Sequence, residues 1–310
     1  MIIKTIKKSF GCEKMDDNNK LIKANIAWEN KDYEVAKNLF EEVILDNPNE
    51  DIYLDYAILL QESNQTCKAK KTYEKMISLY PSFASGYYGL ATIYDDEKSY
   101  DKAIFYYEEC LQYDNTYDSA YFNLGGIFED LKDYQKAKIN YEKAIMFNPK
   151  SFWAYLNLGH IYEIENQNQR ALELFLKAKT LEENSIVYFN LGVVYRKLNK
   201  IDDAINAYYK ALEFEDVYPY TFLNLAVIYK DCYKNYDKAL KIYNEGIKLF
   251  PKMTVLYYNR ACIYAIINEY EKSIDDLIIC IELDKDFIEY MKNDMELKKI
   301  DLSRVFFAHS

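Results

Sequence analysis

The sequence predicts an all-α protein built as an array of two-helix repeats, on three observations. Small residues recur with a period near 34 residues, a second column of small residues keeps step with the first, and apolar residues stand at i, i+3, i+4 and i+7 on both sides of a short polar break in every unit. The first column is Ala36, Ala69, Ala103, Ala137, Ala171, Ala204, Ala239 and Ser273, with steps of 33 to 35. The second is Ala24, Ala57, Ala91, Gly125, Gly159, Gly192, Ala226 and Ala261, twelve or thirteen residues earlier.

In each unit the first helix carries the second column, as in Leu124, Gly125 and Phe128, and the second helix carries the first, as in Ala137, Tyr141 and Ala144. An aromatic follows four residues behind: Phe40, Tyr73, Tyr107, Tyr141, Phe175, Tyr208 and Tyr243, with Leu277 the one departure. A third small column holds Cys110, Ala144, Ala178, Ala211, Gly246 and Cys280. Small side chains let helix axes approach to about 8 Å, and the large ring fills the groove beside them. The breaks contain Lys98-Ser99, Lys132-Asp133 and Asn199-Lys200, where Ser or Asp can accept from a free helix N–H. Pro48, Pro81, Pro149 and Pro251 stop the second helix at one register.

These residues resemble the tetratricopeptide repeat, whose signature is an aromatic, then Leu-Gly, Tyr, Ala, an aromatic and Pro in a 34-residue frame. Tyr121, Leu124, Gly125, Phe128, Ala137, Tyr141, Ala144 and Pro149 follow it, as do Tyr155, Leu158, Gly159, Tyr162, Ala171, Phe175 and Ala178. Eight frames start near residues 17, 50, 84, 118, 152, 185, 219 and 254 and span 17–286. The resemblance implies a right-handed α-α superhelix. The first frame is the poorest, with Lys20 and Ala27 at aromatic positions. Residues 1–16 read as a poorly ordered extension, and 287–310 as a capping helix from Phe287 to Lys299 with a tail whose Phe306 and Phe307 have no evident role.

Within a frame the core uses positions 4, 7, 8 and 11, so positions 2, 6, 9 and 13 lie opposite. Position 6 is asparagine in five successive frames: Asn123, Asn157, Asn190, Asn224 and Asn259. A carboxamide offers an acceptor and two donors, enough to bond both the C=O and the N–H of an extended chain without reading its side chains. The column resembles the inner groove in the repeat region of O-linked N-acetylglucosamine transferase, which implies a peptide-reading ladder; nothing here resembles that enzyme's catalytic portion. The competing reading is that asparagine fits this helix environment. Around the ladder the last four frames set Trp153, His160, Ile164, Ile186, Val193, Tyr220, Val227, Val255, Cys262 and Ile266, an apolar lining where solvent alone favours charge. Frames two to four set acidic or small residues there: Asp51, Asp55, Glu62, Ser85, Gly89, Thr92, Asp96, Ser119, Gly126 and Asp130. The acidic end is expected to attract a basic segment and the apolar end to bury apolar side chains of the same client.

Composition narrows the alternatives. The chain has 310 residues, half apolar and 29% charged, with a net charge of −11 that repels phosphate backbones and anionic lipid. Nucleic acid is excluded as an expected partner, and no apolar run is long enough to span a membrane. Six cysteines without a Cys-x-x-Cys pair read as free thiols in a reducing cytoplasm rather than a metal or redox motif. Gly11-Cys12 lacks the apolar stretch of a lipoprotein signal. His160 and His309 are the only histidines, no nucleophile is spaced to use them, and Gly125-Gly126 lies inside a helix rather than in a phosphate loop. The expectation is a non-enzymatic scaffold with no cofactor or metal that holds a protein or extended peptide, its oligomeric state open. The alternatives are an assembly subunit using the outer surface and, less favoured, a co-chaperone. A carboxylate clamp for chaperone tails needs lysine at position 5, where Tyr88, Phe122, Leu156, Phe189, Leu223 and Tyr258 stand.

Overall fold

The structure, a computed structural model, describes residues 14–307, with side chains from 19 to 306. Most of the expected N-terminal extension, along with Cys12, the Phe307 side chain and His309, therefore lies outside the described residues. Lys14 to Asp16 already belong to a helix. Among the described residues there is no strand, and the chain divides into two compact units, Met1–Pro149 and Lys150–Ser310. The division falls between the fourth and fifth frames.

Unit 1 holds four helix pairs: α1 (Lys14–Glu29) with α2 (Tyr33–Asp46), α3 (Glu50–Glu62) with α4 (Thr66–Leu79), α5 (Ala84–Asp96) with α6 (Tyr100–Tyr113), and α7 (Asp118–Asp130) with α8 (Tyr134–Phe147). Unit 2 holds α9 (Phe152–Ile164) with α10 (Asn168–Leu181), α11 (Ser185–Lys197) with α12 (Ile201–Ala211), α13 (Tyr220–Asp231) with α14 (Tyr236–Leu249), and α15 (Thr254–Ile266) with α16 (Tyr270–Leu283). It ends in α17 (Phe287–Asn293), a 3-10 turn (Met295–Leu297) and α18 (Leu302–Phe307). Both units are stacks of helix hairpins in the register the repeat period predicts.

The hairpins share one turn. Lys31, Asn64, Lys98, Lys132, Asn166, Asn199, Lys234 and Asn268 all take positive φ between 51° and 62°. That left-handed residue ends the first helix by folding its last N–H groups back, as Lys132 N to Glu129 O at 2.9 Å and Asp133 N to Phe128 O at 2.8 Å. The expected side-chain caps are only partly made. Asp133 accepts from Lys136 N at 3.2 Å, but the Ser99 side chain makes no cap bond.

Between the helices, Phe40, Tyr73, Tyr107, Tyr141, Phe175, Tyr208 and Tyr243 are all at most 2% exposed. Burying such a ring contributes about 4–6 kcal/mol of transfer free energy at ~25 cal/mol/Å². The small column follows from these rings. A Cβ on Gly125 would stand 2.6 Å from the Tyr141 ring, and one on Gly192 2.5 Å from that of Tyr208. At the poorly matching first frame, Ala27 is buried and Trp28 supplies the missing aromatic, edge-on to Phe40 at 6.1 Å. Lys20 instead reaches Asp46 at 2.9 Å.

The C-terminal cap departs from a single helix over 287–299. α17 ends at Asn293, because Asp294 turns to φ −80°, ψ 119° and its carboxylate accepts from Glu296 N at 2.8 Å. Phe306, unexplained by the repeat pattern, packs on the last core cluster with Leu297, Ile300 and Val305.

Candidate binding faces

In unit 2, positions 2, 6, 9 and 13 of the first helices gather a half-open apolar surface. Trp153 is 49% exposed, held edge-on by Phe152 at 5.1 Å, and Tyr220 is 44% exposed against Tyr218 at 5.4 Å. Ile164 and His160 are exposed, while Ile186, Val193, Val227, Val255 and Ile266 are half-buried. Ile186 and Val193 rest in part against the core clusters of unit 2 and keep the rest of their side chains accessible.

Cys262 is different: it is 1% exposed, and the cover is the chain's own C-terminal segment. Asp294 accepts from the Tyr258 hydroxyl at 2.5 Å and stands 3.7 Å from the Cys262 thiol. Two residues on, Glu296 pairs with Lys230 of α13 at 2.7 Å, across 66 residues of sequence. This strap crosses α15 at positions 5 and 9 and reaches back to the preceding first helix. It closes the end of the face that the sequence leaves open. Burial, with the Asp294 charge next, holds the Cys262 thiol well above its ordinary value. Cys262, Asp294 and Glu296 bring donor atoms within 4.8 Å of one another. A protonated thiol and a carboxylate neutralised by Lys230 make a poor metal set.

The asparagine column has two environments. Asn123 donates to the Tyr107 hydroxyl at 2.8 Å and to Tyr88 at 3.2 Å, so in unit 1 its carboxamide belongs to a buried tyrosine network. In unit 2, Asn190 donates to Ile186 O at 2.9 Å and Asn259 to Val255 O at 2.8 Å, each a bond to its own helix that uses one of two N–H groups. Asn224 lies beside the Tyr208 hydroxyl, which is buried and has no hydrogen-bond partner among the described residues. Asn157 is half-buried. The tyrosine of the preceding second helix stands sixteen residues before the asparagine for Asn123, Asn157, Asn224 and Asn259, whereas Asn190 follows Phe175 by fifteen. Sequence reasoning missed that offset, and it was the available signal. It also missed Lys230 and the strap carboxylates, because no repeat column contains them.

The acidic positions of unit 1 lie on the corresponding face. Asp51 and Asp96 are exposed, and Asp130 accepts from the Tyr100 hydroxyl at 2.6 Å. Glu62 accepts from Trp28 Nε1 at 2.6 Å. Asp55 is half-buried, and burial, then the Asp51 charge, raises its carboxyl above the ordinary value. No helix among the described residues is long and apolar enough to cross a membrane.

Comparison with known proteins agrees with this architecture. Models described as tetratricopeptide repeat match residues 84–117, 118–151, 140–173, 185–215 and 255–287, and the chain belongs to that family. Its role is accordingly that of a protein-interaction scaffold. The chain is similar to Stress-induced-phosphoprotein 1 of Caenorhabditis elegans, at 38% identity over 55 residues, which is 18% of this chain and 17% of that one. It is similar to Anaphase-promoting complex subunit 3 of Schizosaccharomyces pombe, at 25% identity over 122 residues, 37% of this chain and 18% of that one. The chain thus spans less than a fifth of the length of the curated relatives it matches. Among solved structures it resembles the APC/C hetero-tetramer Cut9-Hcn1, with a TM-score of 0.57 and 19% identity over 94% of this chain and 55% of that one. It also resembles pilF of Pseudomonas aeruginosa, with a TM-score of 0.57 and 21% identity over 65% of this chain and 92% of that one. At these identities the structural likeness is one of fold.

Proposed function

We propose that the chain is a non-catalytic scaffold that holds an extended client peptide on the first-helix faces of unit 2. Apolar client side chains would seat among Trp153, Ile186, Val193, Tyr220 and Val227. The asparagine carboxamides bond the client backbone with the oxygen and the second N–H that Asn190 and Asn259 do not spend on their own helices. The observation that carries this reading is the strap. A non-repeat segment of the chain itself lies on α13 and α15, held by a hydroxyl, a thiol and an ammonium from those faces. What one short segment does in cis, a client does in trans on α9, α11 and α13. The exposed free thiols of Cys67 and Cys232 support a reducing compartment.

The test is a double substitution, Val193→Glu with Val227→Glu, beside Asn190→Ala with Asn224→Ala. Clients captured from the native host by wild type should be lost from both variants while the melting temperature stays within a few degrees. Full capture by both sinks the reading. Assembly through the outer surface is a second reading, favoured by Leu45, Leu79, Met146 and Leu249, which are 82%, 50%, 70% and 59% exposed near the ends of second helices. Sedimentation as a concentration-independent monomer removes it.

A further inference from the structure

Helices α1 and α3 with the start of α2 enclose an open cleft of about 700 Å³ in unit 1. Its floor is apolar. Ile22 and Ile26 stand one turn apart on α1 and are 57% and 51% exposed, unusual for two neighbouring isoleucines. Trp28 borders them, its ring fixed by Phe40 and its Nε1 by Glu62. Three carboxylates, from Glu29, Asp55 and Glu62, stand around this floor, with Lys31 the one cation in the lining among the described residues. None of the three forms an ion pair among the described residues, whereas carboxylates elsewhere in the unit do, as Asp46 with Lys20 and Glu97 with Lys70. Asp55 is the most telling, because it is half-buried and its carboxyl is raised by burial and by Asp51. Uncompensated negative charge beside exposed hydrocarbon is a costly arrangement, and a ligand that carries a cation next to an apolar group relieves both parts of the cost.

We infer that this cleft receives a lysine or arginine side chain, flanked by a large apolar side chain, from a client peptide. The cationic head lies between Asp55 and Glu62, its aliphatic stem runs along the Trp28 ring, and the apolar neighbour covers Ile22 and Ile26. This deepens the peptide-binding reading above and rests on it, by giving unit 1 a specificity that the apolar face of unit 2 lacks.

The two tryptophans of the chain, Trp28 and Trp153, report the two units separately. Full-length Trp153→Phe protein is titrated with an acetylated, amidated hexapeptide of alternating lysine and leucine, and with its glutamate-leucine counterpart. Trp28→Phe protein, which keeps Trp153, is titrated in parallel. The lysine peptide should change Trp28 emission saturably. Its affinity should fall about tenfold or more in Asp55→Asn with Glu62→Gln and should weaken with salt, while the glutamate peptide does nothing. A control with the exposed unit 2 carboxylates neutralised, Glu215→Gln with Asp216→Asn, should bind as before. No saturable response at Trp28, or an equal loss in the control, overturns the inference. A response at Trp153 alone overturns it too, yet leaves the proposed function standing. A tenfold gain in affinity on deleting residues 1–12 makes the chain's own basic N-terminal segment the occupant and overturns a client in that place.

Discussion

Replacing Asn123 by alanine should cost unit 1 about 1–2 kcal/mol, whereas the same change at Asn190 should leave unit 2 within about 0.5 kcal/mol of wild type. The carboxamide of Asn123 donates to Tyr107 at 2.8 Å and to Tyr88 at 3.2 Å. Tyr107 is fully buried, and its only other bond among the described residues is to Asp95 at 3.5 Å, the edge of hydrogen-bonding range. A buried hydroxyl stripped of its good partner costs ~1–3 kcal/mol, and the weak Asp95 contact keeps the loss in the lower half. Among the described residues the Asn190 side chain bonds only Ile186 O, a carbonyl of its own helix, and alanine recovers about 0.6 kcal/mol of helix propensity. Urea titration of each variant measures both. With a slope of about 2 kcal/mol/M, Asn123→Ala should lower the midpoint by about 0.5–1 M and Asn190→Ala should leave it in place. Equal large shifts would make the column structural throughout and remove the ladder from the binding face. Two null results would contradict the tyrosine network.

Other predictions follow from the same contacts. Glu296→Lys places like charges at Lys230, whose side chain is only 12% exposed, and should cost about 2–4 kcal/mol and open Cys262 to a thiol reagent that in wild type modifies Cys67 and Cys232 far faster; peptide mass mapping reads this out. Arg260→Met leaves Asp276, 3% exposed, without the ion pair at 2.6 Å and should destabilise unit 2 by about 3–5 kcal/mol in chemical denaturation. Gly192→Ala drives a methyl into the Tyr208 ring and should cost about 1–3 kcal/mol by the same measurement. For Asp55 the folded carboxyl lies above its unfolded value, so the penalty for ionising it grows as pH climbs from the unfolded to the folded pKa and persists above. Asp55→Asn should therefore melt higher than wild type at neutral pH, with the difference vanishing near about pH 4.

The fold was legible because repetition turns weak signals into strong ones. One Ala-x-x-x-aromatic pair means little, but seven in step fix helix pairing, turn position and the small-against-ring contact that Gly125 and Gly192 display. Positions facing away from the core could likewise be named from helical geometry alone. Non-repeating parts were not legible. The break at Asp294 depends on a local carboxylate-to-backbone bond, and the pairing of Lys230 with Glu296 joins residues no period relates. The asparagine column looks uniform in the sequence, which shows only the residue type. What each carboxamide does depends on whether a tyrosine hydroxyl or a helix carbonyl lies nearer. At Trp28, Ile22 and Ile26 the poor match of the first frame hid a cleft, since residues there follow no column.

The most direct measurement places a photo-activated cross-linking side chain at Val193, on the first-helix face of unit 2, and separately at Lys241, exposed on the second helix α14. After irradiation in native-host extract, adducts to a client polypeptide should form at position 193 and be competed by excess unlabelled wild type, with position 241 silent. Competable adducts at 241 with none at 193 would contradict the account.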